Sequence, residues 1–466
     1  MSRLRSIEGT EPIARLSSVK TLGCHEFCAE KTIRETAAGR VGNTVNSETA
    51  WDVIIIGAGP GGSAAATILA EGGAKVLVLD REEFPRFHIG ESLLPAVELI
   101  TTRLGIEEDP SLFLFKQGAE FICEKSGRTQ SFDFTEALPG TQRYAWHVDR
   151  SKFDTLLRDR AVDAGAIVRH GIAVDDVHFE GEEVRVESGS QSERGRYLID
   201  ATGQDRFLAK KMGTGRAYDR FGKAAAFTHF WNVPESTMDE LAPNNDIRII
   251  IVPDGWLWLI PLPGNRISLG MVSRLPGLRK EHLNRYIESS PLLQRLLAGA
   301  TPKEIRLMGN FSFENIASTG ARFACVGDAA CFIDPVFSSG VSLAIQRGIE
   351  TADLLLPALA EGREDAPDLM KPMTTKMQRA YDTFAGLVFR FYNTKFIDNI
   401  IFGATPDGQF REGVISVLAG DVFREDNPFQ EMLLKSKRHN VRRHAEPAIP
   451  ATPDGESGAD QRATRS

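Results

Sequence analysis

The chain has 466 residues, of which 42% are hydrophobic and 25% charged, a composition typical of a globular enzyme with two or three domains. Its formal net charge of −8 argues against nucleic acid as the main partner. No apolar run approaches the roughly 18 residues of a membrane span, and no secretion signal is recognised near the start, so we expect a cytoplasmic protein. Cys24, His25 and Cys28 supply too few ligands for a structural zinc site, and we predict no bound metal.

Residues 1–50 are polar without periodicity, and we predict that they form a disordered extension. A β-α-β unit follows them. Asp52–Ile56 is a β-branched apolar run typical of a buried parallel strand, Ser63–Ala70 favours a helix, and Ala74–Leu79 predicts a second strand. Strand-like and helical stretches then alternate to about residue 362.

The turn after the first strand reads Gly57-Ala-Gly59-Pro-Gly-Gly62 and opens the predicted helix. In a dinucleotide-binding turn, the first glycine permits the tight bend, the second lets the backbone approach the pyrophosphate, and the third lets helix and strand pack closely. Asp80 ends the second strand, where an acidic side chain binds the adenosine ribose. A glycine-rich turn without a ligand is the alternative, and the agreement of strand, turn, helix and acid disfavours it.

Two later segments also follow strands, Asp200-Ala-Thr-Gly203 and Val326-Gly327-Asp328. They resemble the FAD enzymes of the aromatic-hydroxylase type, and this resemblance implies that Gly327 and Asp328 contact the flavin and its ribityl chain. Asp328 could instead cap a helix, and both roles are compatible. Because no second glycine motif appears, the reduced flavin is expected from a separate reductase or from transient NAD(P)H.

Three longer motifs narrow the flavin chemistry. They are Phe84–Pro95 (FPRFHIGESLLP), Gly255–Pro261 (GWLWLIP) and Gly327–Val341 (GDAACFIDPVFSSGV). Together with His147–Asp154 and Leu418–Phe423, they resemble the flavin-dependent halogenases, in the branch that acts on pyrroles and phenols, over about residues 51–425. The tryptophan motif is the most discriminating, since the glycine and Gly-Asp motifs also occur in hydroxylases and prenyl reductases.

The resemblance implies an activity and its cofactors. Reduced FAD and oxygen would oxidise chloride or bromide to hypohalous acid, which would halogenate an electron-rich aromatic ring, a reaction expected in natural-product biosynthesis. Arg150, in the motif that begins at His147, is implied as a further FAD contact. An FAD-dependent aromatic hydroxylase and a prenyl reductase of the same fold remain as alternatives.

Trp256, Trp258 and Ile260 fall on one face of a predicted strand, because side chains alternate along it. The indoles could simply be core. The resemblance implies that Trp256, Trp258 and Pro261 shield the flavin from the organic substrate, so that the oxidant meets halide instead of the ring.

Ser338-Ser339-Gly340 precedes a helical pattern, whose first N–H groups are unpaired donors. The resemblance implies that Ser339 and Gly340 bind the halide through these groups, while plain helix capping is the alternative. Phe337 stands where tryptophan halogenases carry a glutamate, so we expect a substrate that is activated by itself, a phenol or a pyrrole.

Lys116, between apolar neighbours, is implied by the resemblance as the catalytic lysine that passes hypohalous acid to the ring. A lysine against an apolar wall has a lowered pKa and can act as donor or nucleophile. The alternative is a lysine whose ammonium reaches solvent along the surface. The aromatic substrate could arrive free or tethered to an acidic carrier protein, which the basic run 435–443 would suit.

We therefore predict an α/β fold: a doubly wound, Rossmann-like FAD-binding domain with an inserted antiparallel-sheet substrate domain and a C-terminal helical region. The predicted boundaries are 51–115, 145–205 and 300–362 for the FAD-binding domain, 116–144 and 206–299 for the sheet domain, 363–434 for the helical region, and 435–466 for a disordered tail.

Overall fold

A computed structural model describes residues 51–435, apart from residues 97, 219, 223, 275–276 and 404–407. The predicted extension with Cys24, His25 and Cys28, and the tail from residue 436 onward, lie outside the described residues. The strands are β1 (Trp51–Ile56), β2 (Val76–Leu79), β3 (Phe113–Lys116), β4 (Gly118–Cys123), β5 (Arg128–Asp133), β6 (Ala145–Val148), β7 (Ile167–Arg169), β8 (Asp176–Glu180), β9 (Glu183–Ser188), β10 (Gln191–Asp200), β11 (Gly215–Ala217), β12 (Ala224–Trp231), β13 (Ile247–Val252), β14 (Gly255–Leu262), β15 (Arg266–Ser273), β16 (Thr301–Pro302), β17 (Arg306–Gly309), β18 (Phe313–Asn315), β19 (Thr319–Gly320), β20 (Phe323–Cys325) and β21 (Cys331–Phe332). The helices are α1 (Pro60–Glu71), α2 (Arg150–Asp163), α3 (Phe207–Met212), α4 (Glu235–Leu241), α5 (Lys280–Ser289), α6 (Pro291–Leu296), α7 (Gly340–Glu361), α8 (Lys371–Asn393), α9 (Gln409–Leu418) and α10 (Pro428–Lys435).

The first sheet has the order β19-β20-β10-β1-β2-β7, with β9 and β8 continuing from β10. Strand β1 is parallel to both β10 and β2, so it is central, which explains its unbroken apolar run. Helix α1 leaves the end of β1 and packs against α7, where a side chain at Gly348 would overlap the Gly61 carbonyl. These glycines let the two helices approach closely. The predicted Rossmann-like arrangement is confirmed.

The second sheet has the order β16-β12-β15-β14-β13-β4-β5, with β17 also on β12, and is antiparallel except between β13 and β4. Alternation along β14 sends Trp256 and Trp258 into the core shared with the first sheet, and Leu257 and Leu259 into a core with α5 and α6. Residues 301–309 pair with this sheet, whereas the predicted boundary at 300 groups them with the first; the division into domains stays a prediction.

Helices α8, α9 and α10 form the C-terminal helical region, as the fold prediction expects. Helix α8 has buried aromatic side chains that include Phe384 and Phe391, and it contacts both α7 and α10. Within the described ranges, no helix is both long enough and apolar enough to span a membrane. Through its buried aromatic side chains, helix α8 packs against α7, which lies beside the first sheet.

Candidate flavin and halide site

One cavity of about 930 Å³ is lined by residues of both sheets, at the upper end of the size range of small-molecule sites. Its wall includes the glycine turn, Asp80 and Asp328, together with Trp256 and Trp258. The carboxyl ends of parallel strands β1 and β2 open onto this cavity, where open α/β sheets bind their ligands. The structure thus brings together residues as far apart in the chain as Gly57 and Asp328.

The glycine turn has the geometry that a dinucleotide phosphate requires. Gly57 has φ of +104°, and a side chain there would overlap the Ala201 carbonyl oxygen. A side chain at Gly62 would overlap the Gly57 carbonyl, so both positions need glycine. At Gly59 the nearest atom to an added Cβ is Arg86 Nη2, at 3.6 Å, so a Cβ there would stand in the cavity. The turn therefore fits a pyrophosphate at the α1 N-terminus.

Asp80 lies buried at the end of β2 and is held by two backbone groups. Its Oδ2 accepts the Ala58 N–H at 2.7 Å, and its Oδ1 accepts the Glu82 N–H at 2.9 Å. Since each carboxylate oxygen has two acceptor sites, one remains on each for ribose hydroxyls. The residue fits the predicted contact.

Asp328 follows Gly327, which has φ of +58°, in the turn after β20. Burial raises the pKa of Asp328 to about 6, while the Gln204 amide, which donates to Oδ2 at 2.9 Å, opposes the rise. Its Oδ1 accepts no hydrogen bond from the described residues and suits a hydroxyl donor from a ribityl chain. Sequence reasoning missed Gln204, although it directly follows the quoted segment that ends at Gly203.

Arg150 lines the cavity, but most of its donors serve the protein. Its Nε and Nη2 form two hydrogen bonds to Asp154, at 2.7 and 3.0 Å. Its Nη1 donates to the carbonyl oxygens of Ile89 and Gly90, at 2.8 and 3.2 Å. Arg150 therefore fixes the loop that borders the cavity, and Nη2 keeps one N–H for a ligand.

The indoles of Trp256 and Trp258 on β14 line the cavity, and their ring centroids lie 5.9 Å apart. Trp258 donates from Nε1 to Ser268 Oγ at 3.1 Å, and its ring covers Gly270, where a side chain would overlap it. Ile260 shares their face and also lines the cavity. Pro261 is buried on the opposite face of β14, because side chains alternate there.

A hydrogen-bonded chain behind the cavity joins three elements. Trp256 Nε1 donates to Tyr392 Oη at 2.8 Å, and Tyr392 donates to the Asp334 carboxylate at 3.1 Å. Asp334 also accepts the N–H groups of Gly222 and Val336, both at 3.1 Å. Burial raises the pKa of Asp334 to about 7, although these donors lower it. The network connects the predicted shield to the turn before α7, and sequence reasoning missed it.

That turn carries the predicted halide ligands. Ser338 has φ of +54°, Ser339 is the residue before α7, and Gly340 begins the helix. A void of about 10 Å³, room for roughly one water-sized particle, borders Ser339, Gly340 and Tyr381. The unpaired N–H groups of the first helical turn and this small space suit a single anion. Phe337 packs instead against Phe391, with the ring centroids 5.8 Å apart.

Lys116 ends β3 and is only 1% exposed, which excludes the solvent-reaching alternative. Its Nζ donates to Ser92 Oγ at 3.0 Å and to the Leu93 carbonyl at 2.9 Å. Burial lowers the pKa of Lys116 to about 7, against the attraction of Asp246. Ser92 lines the cavity, so the amine lies one side chain behind the cavity wall.

Two further titratable groups, Asp246 and His147, lie near Lys116. Burial raises the pKa of Asp246 to about 6, although the Lys116 charge lowers it. Burial and Lys116 hold the pKa of His147 well below its ordinary value, and its Nε2 lies 2.7 Å from the Asn245 carbonyl. His147 is therefore neutral and donates to that carbonyl. Lys116 therefore lies in buried surroundings, with the Asp246 carboxyl group as the neighbouring charge that attracts its ammonium form.

The sequence model of the tryptophan halogenase family matches residues 52–142 and 126–404. The chain belongs to this family. It is 31% identical over 361 residues to a tryptophan 2-halogenase of Chondromyces crocatus, covering 73% of this chain and 67% of that protein. It is 28% identical over 412 residues to a 1H-pyrrole-2-carbonyl-[peptidyl-carrier protein] chlorinase of Pseudomonas fluorescens, covering 81% of this chain and 90% of the other. The solved structure of the flavin-dependent brominase Bmp2 superposes with a TM-score of 0.71 at 27% identity, covering 83% of this chain and 97% of that one.

The halogenase is an FAD-dependent enzyme that uses chloride or bromide, as the sequence resemblance predicts. This family assignment decides against the hydroxylase and prenyl-reductase alternatives. The cavity fits FAD in three ways. Its glycine turn suits the pyrophosphate, the Asp80 carboxylate suits the ribose, and Asp328 Oδ1 remains available for the ribityl chain.

Proposed function

We propose that this halogenase makes hypohalous acid in the flavin cavity and uses it beside Lys116 to halogenate a phenol or a pyrrole, free or tethered to a carrier protein. The residues that would hold the cofactor are Gly57, Gly59, Gly62, Asp80, Arg150, Gly327 and Asp328. Ser339 and Gly340 would bind the halide. Trp256 and Trp258, with Pro261 behind them, would shield the flavin from the organic substrate. Reduced FAD would come from a separate reductase, and the enzyme would work in the cytoplasm.

The observation that carries the proposal is the buried amine of Lys116. With a pKa of about 7, a large share of the amine is neutral at physiological pH. A neutral amine is a nucleophile that can take up halogen as a haloamine, and an ammonium is a donor that polarises hypohalous acid. Ser92 holds Nζ at a fixed place beside the cavity wall. Either role of the lysine requires this fixed amine.

Replacing Lys116 by methionine tests the role of the amine, since methionine keeps the length and removes the nitrogen. We expect aromatic halogenation to fall by roughly 100-fold or more, the scale of a lost catalytic acid or base. Binding of FAD and formation of hypohalous acid, read with a diketone trap, should stay unchanged. Lys152→Met, on the exposed face of α2, is the matched control. Unchanged halogenation in Lys116→Met would refute the proposal.

The tethered substrate is supported by the relative that acts on a pyrrole carried by a peptidyl carrier protein. The missing carboxylate at Phe337 supports a ring that is activated by itself. Bromination of pyrrole-2-carboxylate and of simple phenols, each free and loaded on a carrier protein, should be followed by mass spectrometry. Turnover of free tryptophan above all of these rings would overturn the substrate class.

A further inference from the structure

Glu91 places a buried carboxylate at the wall of the flavin cavity. The residue lines the cavity, and its side chain is 5% exposed. Its Oε1 lies 2.6 Å from His229 Nε2, while its buried Oε2 accepts no hydrogen bond from the described residues. A buried carboxylate oxygen is costly unless a partner satisfies it, so Oε2 is open to a partner that the described residues do not supply.

His229 connects this carboxylate with the outside of the protein. It lies on β12, on the same face as the cavity residue Phe227, and its side chain is 13% exposed. Its ring meets the edge of Phe87 with the centroids 5.6 Å apart, and Phe87 is 41% exposed. The side chains of Glu91 and His229 therefore connect the cavity wall with the protein surface.

The halogenase reaction needs a proton from outside. Reduced FAD, oxygen, one halide ion and one proton give oxidised FAD, hypohalous acid and one water. Halide and oxygen bring no proton, and both hydrogens of the reduced flavin leave in the products. One proton must therefore enter the cavity from solvent in every turnover.

We propose that Glu91 and His229 form the proton relay of the flavin cavity. Glu91 gives its proton from Oε2 to the oxygen that becomes water. His229, protonated from solvent at Nδ1, then passes its Nε2 proton to Glu91 Oε1, and rotation of the carboxyl group returns this proton to the side of the cavity. Charged groups around the pair are Arg150, which holds the Gly90 carbonyl, Lys116, which holds Ser92, and Arg306, 3.9 Å above the Phe87 ring. The relay rests on the halogenase activity but not on the role proposed for Lys116.

Glu91→Gln and His229→Gln test the relay while preserving side-chain size. Formation of hypobromous acid from reduced FAD, oxygen and bromide, read with a diketone trap and no aromatic substrate, should slow by about 100-fold in Glu91→Gln. His229→Gln should slow it less and enlarge the solvent deuterium effect. Glu91→Asp, which keeps the acid, should recover part of the rate. His178→Gln, which removes a surface histidine paired with Asp176, should match wild type.

A second readout uses the protein without cofactor. After a pH jump, the infrared carboxyl band that Glu91→Gln removes should respond more slowly in His229→Gln than in wild type. Affinity for oxidised FAD should stay the same in all variants, which separates proton transfer from a damaged site. If Glu91→Gln does not fold, His229→Gln decides. A wild-type rate and an unchanged deuterium effect in His229→Gln overturn the relay. Hypobromous acid without any halogenated ring would instead count against the proposed substrate and Lys116 alone.

Discussion

Replacing Asp334 by asparagine should change how the stability of the protein depends on pH. Burial raises the pKa of Asp334 from 3.8 to about 7 in the folded state. Between these values the folded protein binds a proton that the unfolded chain has released, so stability falls as the pH rises through this window. A difference of about three pKa units, at about 1.36 kcal/mol each, sets an upper value of about 4 kcal/mol. Asparagine does not titrate and avoids this loss.

Urea unfolding of both proteins without cofactor, from about pH 4 to about pH 8, measures the effect. The stability of Asp334→Asn relative to wild type should increase steadily up to about pH 7 and then level off. Asp328 and Asp246 also have raised pKa values, but they titrate equally in both proteins and cancel in the difference. Any pH-independent cost of the new amide shifts the whole curve without changing its slope. A stability difference that is flat with pH would refute the reasoning.

Three other substitutions test the site. Gly62→Ala places a methyl group on the Gly57 carbonyl and should weaken FAD binding by roughly ten-fold or more in fluorescence titration, whereas Gly215→Ala, where the nearest atom lies at 4.0 Å, should not. Tyr392→Phe leaves a buried indole N–H without its partner and should cost about 1–3 kcal/mol in urea unfolding. Tyr197→Phe removes a buried hydroxyl that has no hydrogen-bond partner among the described residues, and it should be nearly neutral. Gly270→Ala forces a methyl group against the indole of Trp258 and should cost about 1–3 kcal/mol and increase peroxide release per reduced FAD; unchanged values in both measurements would contradict the shield.

The first β-α-β unit could be predicted because its signals are local. The glycines from 57 to 62 and Asp80 belong to one β-α-β unit, in which strand, turn and helix are fixed by neighbouring residues. The alternation along β14 likewise predicted that Trp256 and Trp258 share a face, and the structure confirms this. Motifs of this kind carry their geometry within a few residues.

The network behind the shield could not be predicted, because its members are far apart in the chain. Trp256 and Tyr392 are separated by 136 residues, and Tyr392 and Asp334 by 58. No local pattern distinguishes the hydroxyl of Tyr392 from other aromatics of α8, which pack as core. Only the packing of α8 onto the sheet brings its last turn to the Trp256 indole.

The segment Gly90-Glu91-Ser92 belongs to a motif that was recognised in the sequence. The sequence did not show which partner each of its side chains contacts. The segment is extended and pairs with β6, where Leu93 donates its N–H to the Trp146 carbonyl. In an extended chain successive side chains point to opposite sides, so Glu91 reaches His229 while Ser92 reaches Lys116. This extended segment thus borders the flavin cavity and holds the amine that we propose uses the oxidant. A shift of register by one residue would exchange these two contacts.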